Sequence, residues 1–147
     1  MTTLNLEQRP PRSPRVRLGG FVILPRILDK CRATLTDSNG NYGYACPLDQ
    51  RFLSFVGIDP EALKEQVKNG LGDGEILNWI HAHAQNPRNE LEINTWSRFQ
   101  EQHAPTSIEE REFFNKLQKA AGPNRSDLVT FFDLLDLDDF VTFGGKP

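Results

Sequence analysis

The chain has 147 residues, a length that suits one domain around one core, whereas two halves would each be poorly insulated from water. Its apolar share of 37% includes ten Phe, enough for a packed core and inconsistent with disorder throughout. The formal net charge of −3 argues against a nucleic-acid partner, which calls for a basic domain or stripe. No apolar run approaches the ~20 residues that cross a bilayer, and the opening MTTLNLEQRPPRSPR has no signal-peptide core. A cytoplasmic protein with no membrane partner is therefore expected. In that setting Cys31 and Cys46 are read as free thiols, and with no CxxC pair neither a metal nor any other cofactor is implied.

In chain order, residues 1–14 carry Pro10, Pro11 and Pro14 and read as a proline-rich extended arm, ordered only where something holds it. Gly19-Gly20 then punctuates the chain. Leu24, Ile27, Leu28, Cys31 and Leu35 recur at helical spacing, with Pro25 tolerable in a first turn, so a helix is expected over 24–35 with Arg26, Asp29, Lys30 and Ala33 on its opposite face. Thr36 to Cys46, with Asn39-Gly40 between Tyr-bearing stretches, suits a turn and is the one place in the first half with room for a small β-hairpin.

Pro47 opens a short, well-buried helix that carries Leu48, Phe52, Phe55 and Val56 and stops at Gly57. Asp59-Pro60-Glu61 starts the next helix, and Asn69-Gly70 closes it. Asp73 can cap a helix with the stripe Ile76, Leu77 and Ile80, ended by Asn86-Pro87. A further helix spans about Glu90 to His103, with Ile93, Trp96 and Phe99 as its inner face. Thr106 with Glu109 and Ser107 with Glu110 both fit a capping box ahead of a helix over 107–121, which Gly122-Pro123 terminates. Ser126 or Asp127 opens the last helix, carrying Leu128, Phe131, Phe132 and Leu135. Phe140 to Phe143 then suits an extended segment, and Gly144-Gly145 frees a flexible tail over 144–147. The class is mainly α: a compact single-domain array over 15–143 of about seven short helices, with room for one small β-hairpin.

Charge is unevenly spread. Arg9, Arg12, Arg15, Arg17, Arg26, Lys30 and Arg32 crowd one end, while Asp127, Asp133, Asp136, Asp138 and Asp139 crowd the other. Either the termini pack together and compensate, or the bases are free to bind. On the second reading, an extended 15–18 turns Arg15 and Arg17 to one side and anchors Val16 and Leu18 on the core. Together with Arg26 and Lys30 they would line a helix entrance suited to an anionic small molecule or an acidic segment.

Competing sites are weaker. His81 and His83, two apart on a helix, point about 200° apart and cannot share one metal ion. Gly70-Leu71-Gly72-Asp73-Gly74 follows a helix, not a strand, and has no Walker lysine. Cys46 precedes a helix start, where a thiol can act as a nucleophile, but Asp49 opposes a thiolate and no histidine lies near in sequence. The catalytic residues, if any, stay unassigned.

The strings RSPRVRLGG at 12–20, LPRILDK at 24–30, CPLD at 46–49, GDGEIL at 72–77 and TFFDLLD at 130–136 resemble a family of small bacterial proteins, a domain of unknown function numbered fifty sixty-nine. The resemblance spans nearly the whole chain and implies a bacterial, stand-alone cytoplasmic protein. It carries over no activity, cofactor or catalytic residue. The leading reading is a small binding module for an anionic metabolite or acidic segment. An enzyme acting on an anionic substrate, through Cys46, Asp49 or a histidine, is the alternative. A protein–protein adaptor or homo-oligomer, using the proline-rich arm or the Phe140–Phe143 tail, is the third.

Overall fold

A glycine pair between two short strands starts the fold. In a computed structural model that describes residues 4–147, β1 (Arg17–Leu18) runs antiparallel to β2 (Phe21–Val22), with Arg17 opposite Val22 and Leu18 opposite Phe21. Gly19 and Gly20 connect them at φ 59° and 84°, the tight hairpin geometry that side chains resist. A Cβ on Gly19 would also lie 2.5 Å from Cδ2 of Leu77. The small hairpin is thus at Gly19-Gly20 and not at Asn39-Gly40, as the sequence suggested. Residues 36–46 run through turns instead: Asp37 and Ala45 sit at φ 55° and 60°, which breaks extended geometry. The two tyrosines that follow also turn to separate partners, Tyr42 Oη donating to Asp139 Oδ1 at 2.8 Å and Tyr44 Oη to the Pro60 carbonyl at 2.7 Å.

Helix α1 (Leu24–Leu35) forms over the expected span, and nine of its twelve residues are buried. The face expected to be opposite the core is buried as well: Arg26, Asp29 and Lys30 are each between 4% and 6% exposed. They are covered from both ends of the chain. The Arg12 backbone N–H and guanidinium donate to Asp29, Leu6 is buried with its N–H on the Ser38 carbonyl, and Asp139, near the other end, accepts from Arg26. Of the arm read over 1–14, residues 1–3 lie outside the described residues, and the rest is tied to α1 by these bonds. Just before α1, Ile23 takes φ 73°, a strained value for a β-branched side chain that its complete burial offsets.

The other helices are α2 (Pro47–Val56), α3 (Pro60–Lys68), α4 (Asp73–His83), α5 (Glu90–Gln102), α6 (Ile108–Ala121) and α7 (Phe131–Thr142). Gly57 ends α2 in the left-handed conformation, and Asp59 accepts from the Ala62 N–H to start α3. Phe21, fully buried, meets Phe52 edge-on at 5.1 Å, and Trp96 stacks on Phe55 at 5.1 Å, so the hairpin, α2 and α5 share one aromatic core. Ser97 locks α5 to the hairpin, its Oγ donating to the Gly20 carbonyl at 2.6 Å and accepting from the Val22 N–H at 3.2 Å.

Several helix details differ from the sequence reading. Gly72, not Asp73, is the α4 cap, its N–H held by Glu75 at 3.0 Å, because the Asp73 carboxylate is taken by Arg12 and Arg32. On α5 the inward side is Ile93, Trp96, Ser97 and Gln100, whereas Phe99 is 59% exposed and stacks on His103 at 5.4 Å. For α6, Ser107 caps the Glu110 N–H while the Glu110 carboxylate reaches back to Thr106. The last helix starts later, at the reciprocal Thr130–Asp133 capping box, leaving Leu128 ahead of it. It continues through Thr142, so Phe140 to Thr142 is helical and not extended. Val141 continues a facing row with Leu134 and Asp138 at helical spacing, which an extended segment would break.

Candidate functional site

The four bases expected at one helix entrance do not converge. Arg15 Nε donates to Asp136 at 2.9 Å and its Nη2 pairs with Asp133, both on α7. Arg17 turns instead to Glu101 and Asn94 on α5. The expectation that residues 15–18 present both guanidiniums to one side is therefore corrected: Arg15 lies in a turn before β1, and Val16, expected on the core, is 40% exposed. Arg26 is buried against Asp139 at 2.8 and 3.2 Å, and Lys30 against Asp49 at 2.8 Å. Both reach these acids from α1, so much of the basic N-terminal charge is balanced by the acidic C-terminal segment and α2.

Concave, apolar surface lies elsewhere, where α2, α6 and α7 leave a cavity of about 570 Å³. Leu48 of α2, Phe113 and Leu117 of α6, and Phe131, Leu134, Leu135 and Val141 of α7 form its walls. These side chains follow from the helical periods of three amphipathic segments that meet only in the folded chain. Volume and lining are those of a small-molecule pocket, which places a few polar groups within an apolar wall.

Those polar groups sit at two ends. At one end Arg51 of α2 donates to Gln100 Oε1 at 3.3 Å and lies 3.4 Å from His103 Nε2. His103 stacks between Phe99 and Phe131, at 5.4 and 5.3 Å, and lies 3.6 Å from Glu110. Arg51 is the only cation among the lining residues, and no described carboxylate comes within ion-pair distance of it. At the other end are Cys46 and Asp138, two turns of α7 beyond Phe131. Burial, reinforced by the charge of Asp139 and opposed by Arg26, pushes the Asp138 carboxyl above its ordinary value.

Behind Cys46 lies a buried polar cluster. Lys30 Nζ bridges Cys46 Sγ at 3.4 Å and Asp49 Oδ1 at 2.8 Å, and the second Asp49 oxygen is buried with no protein partner. The lysine thus stands between sulfur and carboxylate, which answers the electrostatic objection to Cys46 raised by sequence alone. The histidines do other work: His83 stacks on Trp79 at 4.9 Å, and His81 lies 6.2 Å from the Phe21 ring. Among the described residues no group of three potential ligands gathers to hold a metal ion.

Sequence reasoning missed Arg51. The available cue was its position: three residues after Leu48 and four after Pro47, it is a cation on the apolar stripe of an amphipathic helix. His103 gives a measurable consequence. Burial lowers its pKa, Arg51 lowers it further and Glu110 opposes in part, so the folded protein holds the neutral ring more firmly than the unfolded chain does. The unfolded state then binds more protons as pH falls through the ordinary histidine value of about 6.5, and stability should decline there. A Tm series across that range is expected to fall more steeply for the wild type than for His103→Phe; parallel curves would contradict it.

Among the described residues, seven helices and an apolar groove of ligand size define a mainly α protein. The family model for a domain of unknown function (DUF5069) matches residues 8–141, and the chain belongs to that family. No curated protein matches it. No helix among the described residues is long and apolar enough to cross a membrane.

Proposed function

We propose that this protein is a small cytoplasmic binding module for an anionic metabolite with an apolar body, which it takes into the α2–α6–α7 groove with the anionic head on Arg51. The observation that carries this reading is the pairing of a 570 Å³ apolar groove with a lining guanidinium that has no carboxylate partner among the described residues. Arg15, Arg17, Arg26 and Lys30, the bases that the sequence brought forward, already face carboxylates, so the anion is assigned to a different cation. An apolar chain released from water into this groove supplies the driving force, and a guanidinium fork supplies selectivity for a carboxylate or phosphate head. The cytoplasmic assignment is supported by two free cysteines, one of them lining the groove.

Calorimetric titration with decanoate, butyrate and decanol tests both halves of the proposal. Decanoate is expected to bind, butyrate to lose the apolar contribution and decanol the ionic one. Arg51→Ala should weaken decanoate roughly tenfold or more, the worth of a charge-assisted hydrogen bond. Equal binding of decanoate and decanol, or no binding of either, would sink the proposal.

A further inference from the structure

We infer that Cys46 is a nucleophilic site that adds to apolar-chain, carbonyl-conjugated alkenes admitted through the groove, with Lys30 as its proton donor. Cys46 has three properties that Cys31 does not share. It lines the cavity, whereas Cys31 is fully buried and its thiol is pushed up to about 11 by burial. It caps the N-terminus of α2. Its Sγ also lies 3.4 Å from the Lys30 ammonium, itself fixed at 2.8 Å by a fully buried Asp49.

The reaction class follows from what is absent around the sulfur as well as from what is present. None of the three histidines hydrogen-bonds Cys46: His83 faces the Trp79 carbonyl, His103 faces Arg51 at the far end of the groove, and His81 packs by Phe21. Acyl transfer and hydrolysis need a base to activate water and a route for a leaving group. Conjugate addition needs neither. The sulfur electron pair forms an S–C bond at the β-carbon, and the C=C π pair shifts to the α-carbon and carbonyl. Lys30 then delivers a proton to that carbon and recovers from solvent the one the thiol gave up, so no oxidant or further reactant is consumed. The buried Asp49 holds the amine at 2.8 Å beside the sulfur, and its unpartnered oxygen sits within this donor cluster. The soft sulfur on an apolar wall selects a soft electrophile with a hydrocarbon tail.

This inference uses the groove proposed above as its entry path, but its test separates the two. The intact protein is treated with decenal and with crotonaldehyde, conjugated enals that differ in tail length, and each rate is divided by that of N-acetylcysteine with the same reagent. Peptide mapping by mass spectrometry then locates the adduct. The expected result is addition at Cys46 and not Cys31, with the normalised decenal rate about tenfold or more above that of crotonaldehyde. Wild-type protein suffices for this comparison, and Lys30→Arg, which keeps the charge and a donor, should retain more of the rate than Lys30→Met. Normalised rates that are equal for the two enals and no faster than N-acetylcysteine overturn the inference, even where decanoate binds through Arg51. A fast, tail-dependent adduct in a protein that does not bind decanoate would uphold the site and discard the carboxylate reading.

Discussion

Replacing Asp49 with alanine is expected to cost about 3–5 kcal/mol of folding stability, because it strands a buried ammonium. That is a large part of the roughly 5–15 kcal/mol a domain of this kind possesses. Lys30 and Asp49 are 4% and 0% exposed, and their contact at 2.8 Å joins the middle of α1 to the first turn of α2. After the substitution the only hydrogen-bond partner left to Nζ among the described residues is the Cys46 sulfur at 3.4 Å, a weak acceptor. The double variant Lys30→Met, Asp49→Leu removes both charges and should recover most of the loss, since apolar groups of similar size replace a buried pair at little cost. Urea unfolding of the two single variants and the double variant measures the coupling. If Asp49→Ala costs less than about 1 kcal/mol, the site is hydrated and the ammonium was never dependent on the carboxylate.

The readability of the helices and the opacity of the ion pairs have one physical cause. Caps are local: Asp59 serves the N–H of Ala62, Ser107 that of Glu110, and Gly57 stops α2, all within three or four residues. A single sequence can show such neighbours. The hairpin was misplaced because Asn39-Gly40 and Gly19-Gly20 are both competent turns, and only Leu77, packed against Gly19 from α4, and Ser97 of α5 hold the second pair in a strand turn. Similarly, α1 has one apolar stripe by periodicity, yet it is covered all round because acids from α2 and α7 neutralise its polar face.

The candidate site divides along the same line. Cys46 was visible as a thiol at a helix start, and the acidic and basic ends were visible as charge runs, but which acid meets which base is decided by partners 17 to 121 residues apart. The groove could not be read at all. Its first wall, α2, lies far along the chain from the other two, α6 and α7, and Arg51 becomes distinctive only when the carboxylates around it are seen to be engaged elsewhere, as Glu110 is with Thr106.

Asp139→Ala is expected to be the second large loss, again about 3–5 kcal/mol, with an added effect on the groove. Asp139 gathers three contacts: two hydrogen bonds from Arg26, at 2.8 and 3.2 Å, and one from the Tyr42 hydroxyl at 2.8 Å. Arg26 is 4% exposed, so removal of the carboxylate leaves a buried guanidinium with the Arg12 carbonyl at 3.3 Å and the face of Tyr42 at 5.5 Å. Neither balances its charge. Tyr42→Phe keeps the ion pair and deletes one hydrogen bond, so it should cost only about 1 kcal/mol. Because Asp139 fixes the second half of α7, whose Asp138 and Val141 line the groove, Asp139→Ala should also weaken decanoate binding while Tyr42→Phe leaves it nearly intact. Chemical denaturation and calorimetry on the two variants measure both effects. Equal stability losses would mean that water reaches Arg26 once α7 loosens, and that the hydroxyl, not the ion pair, holds the helix against α1.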